Sequence, residues 1–241
     1  MISLVIPCYN EEDKLEKLLT KISYVLKKFS KERIEIVIVN NGSTDNSEKI
    51  IKQHELFHQN LISLLNIKKN KGYGDGINQG INFSKGDVVC WFHADLQFDP
   101  VEALNIYTEY KDKFLNQNIL LKGNRMNRSL FDSFFTFGMT CLTFLLFGKK
   151  INDINAQPKI FKRSMLKFIN NPPIDFSYDI YFLLVALNNN IKIQEFPVKW
   201  YDRNAGEAKG GGSFKLKFKL TLRTIKFLFN LRRKYNGNNS S

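Results

Sequence analysis

Short, nearly continuous apolar segments alternate with longer segments of mixed polarity in the first half of the chain, and this alternation restricts the fold more than any other feature. We predict four strands, which are ISLVI (2–6), IEIVIV (34–39), LISLL (61–65) and DVVCWF (87–92). We predict helices over 12–29, from about Asn46 to His58, after the glycine-rich KGYGDGINQG, and over 101–114 behind Pro100. Apolar strands separated by helices are typical of a parallel sheet covered on both faces. The pattern therefore predicts an α/β fold with a mostly parallel sheet.

A polar loop follows each of these predicted strands. In chain order the loops read PCYNEE, NNGSTD, NKGYGDG and HADLQ. Ligands of open parallel sheets bind beyond the carboxyl ends of the strands, so we expect the four loops to form one site. The opposing interpretation is that loops are polar in any protein. Against it stands the joint enrichment of these loops in Asn, Asp and Gly.

The positive charge of the chain is unevenly distributed. The net charge of the 241 residues is +13, and residues 213–241 contribute +8 of it, because they hold eight basic residues and no acid. An evenly basic protein suggests a nucleic-acid partner, whereas a basic and apolar tail suggests an anionic membrane surface at least as strongly. We expect the membrane surface and no nucleic acid.

Cysteine usage bears on the compartment. Cys8, Cys90 and Cys141 show no CxxC spacing, which argues against a disulfide framework and against a cysteine zinc site. The opening MISLVIPCYNEE lacks the basic region of a signal peptide. We expect a cytoplasmic protein that is peripherally associated with a membrane.

Two apolar segments admit two interpretations each. Residues 214–231 alternate like a strand at first, but their length favours a basic amphipathic helix, which either lies in a membrane interface or packs on the domain. The run FFTFGMTCLTFLLFG (134–148) is too short to cross a bilayer, which takes about 20 residues, and is either a core helix or an interfacial helix. We expect a catalytic domain over 1–212 and a membrane-interface tail over 213–241.

The loops resemble those of family-2 glycosyltransferases with the GT-A fold, over about residues 1–212. PCYNEE is similar to P-x-Y-N-E, VNNGSTDNS to V-D-D-G-S-x-D, and NKGYGDGINQG to N-x-G-x-G-x-A-x-x-x-G. HADLQFDP is similar to D-A-D-L-Q-x-x-P, the metal motif of the branch that glycosylates polyprenyl phosphates, such as dolichyl-phosphate mannosyltransferase. DINAQPKIFKR, FSYDIYFLLVAL and FPVKWYDRNAGEAK resemble later segments of that branch. Each motif alone is a weak signal, but six in the family order are a strong one.

The resemblance implies a divalent cation, Mg²⁺ or Mn²⁺, at the diphosphate of a nucleotide sugar. Both cations take oxygen ligands, and an ionised carboxylate is costly to bury unless it is paired or bound to metal. We assign Asp95 as the metal carboxylate and Gln97 as a neighbouring oxygen ligand or phosphate contact. His93 stands where the family has Asp; it can bind Mn²⁺, donate to a ribose or phosphate oxygen, or be a structural loop residue.

The resemblance also implies which residues contact the nucleotide sugar. Asn40 and Asn41 replace both acids of the family motif, and the amide of Asn41 can meet a base edge or simply belong to an Asn-Gly turn. The residues assigned to the nucleotide sugar are Pro7, Tyr9, Asn10, Glu11, Asn40, Asn41, Gly74, Asp75, His93, Ala94, Arg203 and Lys209.

The acceptor side is assigned by the same resemblance. Asp153 is expected to face the sugar and the acceptor, and it is assigned to catalysis together with Asp95 and Arg125. Arg125 and Arg128 are candidates to hold an acceptor phosphate, because a guanidinium matches phosphate geometry. A phosphate acceptor is already ionised at pH 7, so Asp153 would orient the sugar rather than accept a proton.

Two motifs suggest other enzyme classes. The glycines of NKGYGDG resemble a dinucleotide fingerprint, but that fingerprint normally follows the first strand and is paired with an acid on the second. HELFH (54–58) matches the HExxH pattern of zinc hydrolases, but the chain contains three histidines in all. A nicotinamide enzyme and a zinc hydrolase are therefore secondary hypotheses.

These observations predict a hexosyltransferase that moves a sugar from a GDP- or UDP-linked donor to a polyprenyl phosphate lipid, with metal assistance and inversion. One alternative is a transferase acting on a sugar hydroxyl of a polysaccharide or glycolipid, which needs Asp153 or another acid as a base. A second alternative is a non-catalytic module that binds nucleotide sugars, which the replacement of acids at positions 40, 41 and 93 would fit.

Overall fold

The structure is a computed structural model that describes residues 1–126, 130–201 and 214–238, without the side chains at 115, 130–136, 214–217 and 234–238. Its strands are β1 (Ile2–Cys8), β2 (Ile34–Asn41), β3 (Ser63–Ile67), β4 (Val88–Trp91), β5 (Ile119–Arg125), β6 (Lys159–Lys162) and β7 (Lys192–Val198). Its helices are α1 (Glu12–Lys28), α2 (Ser47–Gln53), α3 (Glu55–His58), α4 (Tyr73–Phe83), α5 (Pro100–Asn116), α6 (Leu130–Phe147), α7 (Tyr178–Asn188) and α8 (Phe214–Asn238). A 3₁₀ helix spans Arg163–Phe168.

The strands form one sheet in the order β3-β2-β1-β4-β6-β5-β7. β1 pairs in parallel with β2 and β4, β2 pairs in parallel with β3, and β5 pairs in parallel with β7. β6 is antiparallel to both of its neighbours, β4 and β5. The sheet is therefore mostly parallel, as the alternation of apolar and amphipathic segments predicts.

Two apolar layers cover the sheet, because successive side chains of a strand point to opposite faces. Leu4 and Ile6 of β1 face a core formed with α1 and α5, whereas Val5 faces a second core formed with α4 and α7. α7 is buried from Tyr178 to Ala186, so it lies in the interior rather than on the surface. The sheet therefore lies between two apolar layers.

Most element boundaries lie within two residues of the predictions, and the larger differences are in the helical segment after β2 and at the end of α8. The helix predicted from Asn46 to His58 is broken, because His54 is extended and its side chain accepts a hydrogen bond from the backbone of Leu56 as the N-cap of α3. β3 begins at Ser63 rather than at residue 61. The helix predicted over 214–231 is confirmed and continues to Asn238.

The helices α6 and α8 contact each other. Leu228 of α8 is fully buried, and Phe227 and Leu231 pack beside it against the core that contains α7. Within the described part of the chain, no helix has both the length and the apolar character that crossing a bilayer requires.

Candidate active site

The four polar loops lie at one edge of the sheet. They follow β1, β2, β3 and β4, which run parallel to one another, so the carboxyl ends of these strands point the same way. The end of β5 at Arg125 and the beginning of β6 at Lys159 lie at this edge as well, because β6 is antiparallel to its neighbours. The arrangement brings the predicted loops together and adds residues of the second half of the chain.

The first loop is fastened to the second by hydrogen bonds. Asn10 has a φ of 53°, accepts from the backbone N–H of Thr44 over 2.7 Å, and donates its own backbone N–H to Ser43 over 3.0 Å. Asn and Asp tolerate this left-handed conformation better than other non-glycine residues. Glu11 accepts from Lys14 over 2.6 Å. These contacts give Asn10 a role in holding the two loops together, whereas the pair of Glu11 with Lys14 is local to the start of α1.

The first loop also meets the fourth. The backbone N–H of Ala94 donates to the carbonyl of Pro7 over 3.2 Å, which extends the pairing of β1 and β4 past the strand ends. The side chain of Tyr9 is exposed beside them. Nothing in the geometry tests the assignment of these three residues to the nucleotide sugar, which stays a prediction.

Asn40 and Asn41 are both buried and turn their amides toward the protein. The Nδ2 of Asn40 donates to Asn66 over 2.7 Å, and its Oδ1 accepts from the backbone of Ser43. The Nδ2 of Asn41 donates to the carbonyl of Gly72 over 3.0 Å, while its Oδ1 has no hydrogen-bond partner. Both amides are therefore used within the protein, and a contact of Asn40 or Asn41 with a nucleotide base stays a prediction.

The glycine-rich loop packs against the segment before α7. A Cβ at Gly74 would lie 2.4 Å from the carbonyl oxygen of Pro173, and Gly72 has a φ of 144°. Asp75 accepts from Gln79 over 2.7 Å. The close approach that these glycines permit is thus an approach between protein segments, and a contact of Gly74 or Asp75 with the nucleotide sugar stays a prediction.

Asp95 lies at the centre of the edge, just past β4. Its side chain is 8% exposed, and its Oδ1 accepts from the backbone N–H of Gln97 over 3.1 Å. Leu96 between them has a φ of 61°, an unusual value for a branched side chain. The Nε2 of Gln97 donates to the carbonyl of Tyr201, so the amide oxygen is the atom that can act as a ligand. One carboxylate and one amide oxygen thus lie two residues apart.

His93 belongs to a buried network that the sequence analysis missed. Its Nε2 lies 2.6 Å from the Nε2 of Gln157 and 3.2 Å from the hydroxyl of Tyr73. The amide nitrogen of Gln157 can only donate, so the Nε2 of His93 is the acceptor of this contact. A ligand contact of His93 would have to use the other side of the ring.

The network continues to an ion pair in the interior. Tyr73 donates to Asp179 over 2.6 Å, and Asp179 forms a buried salt bridge with Lys159. Burial, followed by the negative charge of Asp179, raises the pKa of Tyr73 well above its usual range. Burial lowers the pKa of Lys159, and Asp179 opposes this effect. The sequence contained a signal for this ion pair, because Lys159 begins the apolar segment KIF and Asp179 lies within the apolar segment YDIYFLLVAL.

Asp153 and Arg125, the residues assigned to the acceptor side, meet at this edge of the sheet. Asp153 is buried with a φ of 36°, and its Oδ2 accepts from the backbone N–H of Arg125 over 2.9 Å and from its Nε over 3.0 Å. The guanidinium also lies 5.1 Å from the centre of the Trp200 ring. Two residues assigned to catalysis therefore meet, and Arg125 is engaged by protein rather than directed at solvent.

Three assigned residues, Arg128, Arg203 and Lys209, lie outside the described residues. In the part of the chain that the structure describes, no group of three or more His, Cys, Asp or Glu side chains is arranged to hold a metal ion. The HELFH motif is not a single helical face, because His54 precedes α3 and caps it. The geometry that HExxH zinc sites require is absent from this described segment.

Comparison with known proteins identifies the family. A model of the family described as Glycosyl transferase family 2 matches residues 3–122. A dolichyl-phosphate beta-glucosyltransferase of Trichomonas vaginalis is 30% identical over 227 residues, which cover 89% of this chain and 70% of that protein. The chain belongs to glycosyl transferase family 2. As a glycosyltransferase it fits neither the nicotinamide-enzyme nor the zinc-hydrolase hypothesis, and the expectation of an enzyme is confirmed.

Further relatives of this glycosyltransferase are named for lipid-phosphate acceptors. The dolichyl-phosphate beta-glucosyltransferase of Saccharomyces cerevisiae is 28% identical over 223 residues, covering 83% of this chain and 67% of that protein. The undecaprenyl-phosphate 4-deoxy-4-formamido-L-arabinose transferase of Edwardsiella ictaluri is 28% identical over 214 residues, covering 87% of this chain and 63% of that protein.

Solved structures share the fold of this glycosyltransferase. Glucosyl-3-phosphoglycerate synthase from Mycobacterium tuberculosis, in complex with Mn²⁺, UDP-glucose and phosphoglyceric acid, superposes with a TM-score of 0.73 at 16% identity, covering 96% of this chain and 79% of that chain. A mannosyltransferase from Pyrobaculum calidifontis, in complex with GDP-Man and Mn²⁺, gives 0.61 at 18% identity, covering 88% and 58%. The expected GT-A fold is confirmed.

Proposed function

We propose that this protein transfers a hexose from a GDP- or UDP-linked sugar to a polyprenyl phosphate by a single displacement with inversion. The observation that carries the proposal is the buried Asp95 at the edge where the carboxyl ends of the parallel strands meet. Support for the acceptor class comes from relatives named for dolichyl phosphate and undecaprenyl phosphate. Neighbours of the same fold were solved with UDP-glucose and with GDP-Man, which supports a nucleotide-sugar donor.

The donor set at this edge fits a divalent cation. Asp95 and Gln97 offer carboxylate and amide oxygens, the ligand types that Mg²⁺ and Mn²⁺ prefer, and Mg²⁺ sites typically use one or two carboxylates together with substrate phosphates. In the proposal these two residues hold Mg²⁺ or Mn²⁺, which would neutralise the charge that develops on the departing diphosphate.

The state of Asp153 favours a phosphate acceptor over a sugar hydroxyl. Its carboxylate accepts from the backbone and the side chain of Arg125, so it is poorly placed to accept a proton from an alcohol. A phosphate monoester needs no base, since its second pKa is about 6. A phosphate oxygen attacks the anomeric carbon, the bond from that carbon to the diphosphate oxygen breaks, and the electron pair leaves with the nucleoside diphosphate.

The arrangement of α6 and α8 supports a membrane surface as a partner. Large apolar side chains of both helices are exposed, namely Phe137, Phe144 and Leu145 on α6 and Phe218, Leu222 and Phe229 on α8. Exposed cations flank the stripe on α8, namely Lys219, Arg223, Lys226, Arg232 and Arg233. An apolar stripe between cations fits the interface of an anionic bilayer. We propose that residues 1–212 form the catalytic domain and that 213–241 attach it peripherally.

The cytoplasmic face is the membrane face in this proposal. Cys8, Cys90 and Cys141 are free thiols in the structure. Thiols of a protein in the cytosol stay reduced, and a polyprenyl phosphate presents its headgroup at the membrane surface where α6 and α8 would rest.

The test is a donor screen with the full chain, undecaprenyl or dolichyl phosphate in anionic vesicles, and Mn²⁺ or Mg²⁺. We expect radiolabelled sugar to enter the lipid phase, together with stoichiometric nucleoside diphosphate, for one GDP- or UDP-linked donor. Omission of the lipid phosphate should abolish both products. Release of nucleoside diphosphate with a glycan acceptor but not with either lipid would overturn the acceptor assignment, and inactivity with every donor would overturn the proposal.

A further inference from the structure

Two fully buried lysines face each other across the strands next to the candidate site. Lys122 of β5 is paired with Lys159 of β6 in the antiparallel register, and both side chains are 0% exposed. Burial of an ammonium group is costly, and like charges directly opposite each other in a sheet are destabilising. The fold therefore retains an unfavourable arrangement next to its site.

Each buried ammonium binds a carbonyl of the same short segment, residues 153–157. The Nζ of Lys122 donates to the carbonyl of Asp153 over 3.3 Å and to that of Gly123 over 2.9 Å. The Nζ of Lys159 donates to the carbonyl of Ala156 over 3.2 Å. The two lysines therefore hold the segment at two carbonyls, that of Asp153 at its beginning and that of Ala156 near its end.

The same segment presents two side chains to the candidate site. Asp153 lies at its beginning and is paired with Arg125, and Gln157 lies at its end and contacts His93. Gly123 brings the β5 backbone against this segment, since a Cβ there would lie 2.1 Å from the carbonyl oxygen of Gln157. Movement of the segment would displace both side chains together.

We propose that Lys122 and Lys159 are positioning residues whose ammonium groups fix the segment 153–157, and with it Asp153 and Gln157, for the sugar-transfer step. The assignment rests on the proposed function for its effect on rate, whereas the anchoring of the segment does not depend on the identity of donor or acceptor. Both lysines are fully buried, so in this proposal they act through the segment that they hold.

Burial lowers the pKa of both lysines of the pair. Burial is the largest cause and lowers the pKa of Lys122 from 10.5 to about 8. The positive charge of Lys159 also lowers this pKa, whereas the negative charges of Glu195 and Asp153 raise it. Arg125, at the end of the same strand, acts on Lys159 and contributes to lowering its pKa. Since the ammonium is the form that binds carbonyls most strongly, the anchoring weakens as the pH rises through about 8.

Deprotonation of Lys122 weakens the anchoring of the segment but does not lower the free energy of unfolding. The folded state releases the proton of Lys122 at a lower pH than the unfolded state does, so the unfolded state binds more protons between about 8 and 10.5. The contribution of Lys122 to the free energy of unfolding therefore rises over that pH range. If Lys122 positions the segment, activity falls above pH 8 although deprotonation of Lys122 does not destabilise the fold. If the activity fell because the protein unfolds, stability would fall over the same pH range.

The experiment compares Lys122→Met with Leu120→Ala, a fully buried control on the same strand that lacks any polar contact with the segment. For Lys122→Met we expect kcat to fall about tenfold or more, with the KM for the nucleotide sugar unchanged, because misplacement of reacting groups affects the chemical step most. We also expect the alkaline fall in rate near pH 8 to disappear. In hydrogen exchange, the peptide containing residues 153–157 should exchange faster in Lys122→Met but not in Leu120→Ala.

Two outcomes would overturn the assignment. One is unchanged exchange of the 153–157 peptide in Lys122→Met at pH 7; the other is equal losses of kcat in both variants at matched melting temperatures. If Lys122→Met does not fold, exchange of this peptide in the wild-type protein at pH 7 and pH 9, corrected for intrinsic rates, decides the matter. An inactive wild type would contradict the proposed function, while the exchange measurements would still decide the anchoring.

Discussion

The guanidinium and the backbone N–H of Arg125 both donate hydrogen bonds to the carboxylate of Asp153. The Nε donates to Oδ2 over 3.0 Å, the backbone N–H donates to the same oxygen over 2.9 Å, and the NH2 nitrogen pairs with Oδ1. Such a two-pronged contact fixes the orientation of the carboxylate as well as its position. The face of the guanidinium lies over Trp200, which restricts it further.

Arg125→Lys tests this contact. An ammonium cannot form the paired hydrogen bonds of a guanidinium, so we expect kcat to fall by about tenfold to a hundredfold although the positive charge is retained. Initial rates at saturating donor and acceptor measure the effect. Arg33→Lys at an exposed position is the control and should retain wild-type kcat. Equal activity of Arg125→Lys and the wild type would show that the paired geometry is not used.

Asp95→Asn tests the assigned metal carboxylate. Removal of the charge should lower the metal-dependent rate by about a hundredfold or more while the fold is retained, because stabilisation of the departing diphosphate is lost. Asp99→Asn is a matched control: Asp99 caps α5, and Asn is an equally good N-cap. Titration of activity with Mn²⁺ for both variants measures the difference. A response to metal in Asp95→Asn like that of the wild type would contradict the assignment.

Substitution by alanine at two glycines, Gly123 and Gly138, should have opposite effects on the free energy of unfolding. Gly123→Ala would place a methyl group 2.1 Å from the carbonyl oxygen of Gln157, and we expect a loss of about 1–3 kcal/mol from the strain. Gly138 lies in α6, and no heavy atom of the described residues lies within 4 Å of its would-be Cβ, so Gly138→Ala should gain about 0.5–1 kcal/mol. Urea denaturation of both variants measures the free energy of unfolding. Stabilisation by Gly123→Ala would mean that β5 and the segment 153–157 are farther apart.

The stripe on α8 predicts electrostatic binding to anionic vesicles. Replacement of Lys219, Lys226 and Arg233 by Gln should weaken binding by about a hundredfold, since each basic residue near the surface contributes roughly 1 kcal/mol. Co-sedimentation with vesicles of rising phosphatidylserine content measures the affinity. Replacement of the exposed Lys17, Lys27 and Lys31 by Gln removes equal charge elsewhere and should change binding little. Equal losses in the two triple variants would assign the attraction to net charge alone.

Much of the sheet edge was predictable from local pattern. The apolar runs ending near Cys8, Asn41 and Trp91 predicted parallel strands, and their polar loops predicted the edge at which Asp95 lies. Such predictions succeed because a strand that is buried on both faces must be almost entirely apolar. The direction of a strand then determines the edge of the sheet at which the following loop lies. One face of α8 packs on the domain through Leu228 while another stays exposed, so packing on the domain is confirmed and contact with a membrane stays a prediction.

The sequence by itself determined the class of fold, the position of Asp95 and the family of the chain. Only the tertiary structure decided the partners of the buried polar groups: Lys122 opposite Lys159, Tyr73 on Asp179, and Arg125 on Asp153. The physical reason is distance along the chain. Periodicity reports how each residue is exposed within its own element, whereas a buried charge is satisfied by whichever polar group the sheet order and the layer packing bring to it.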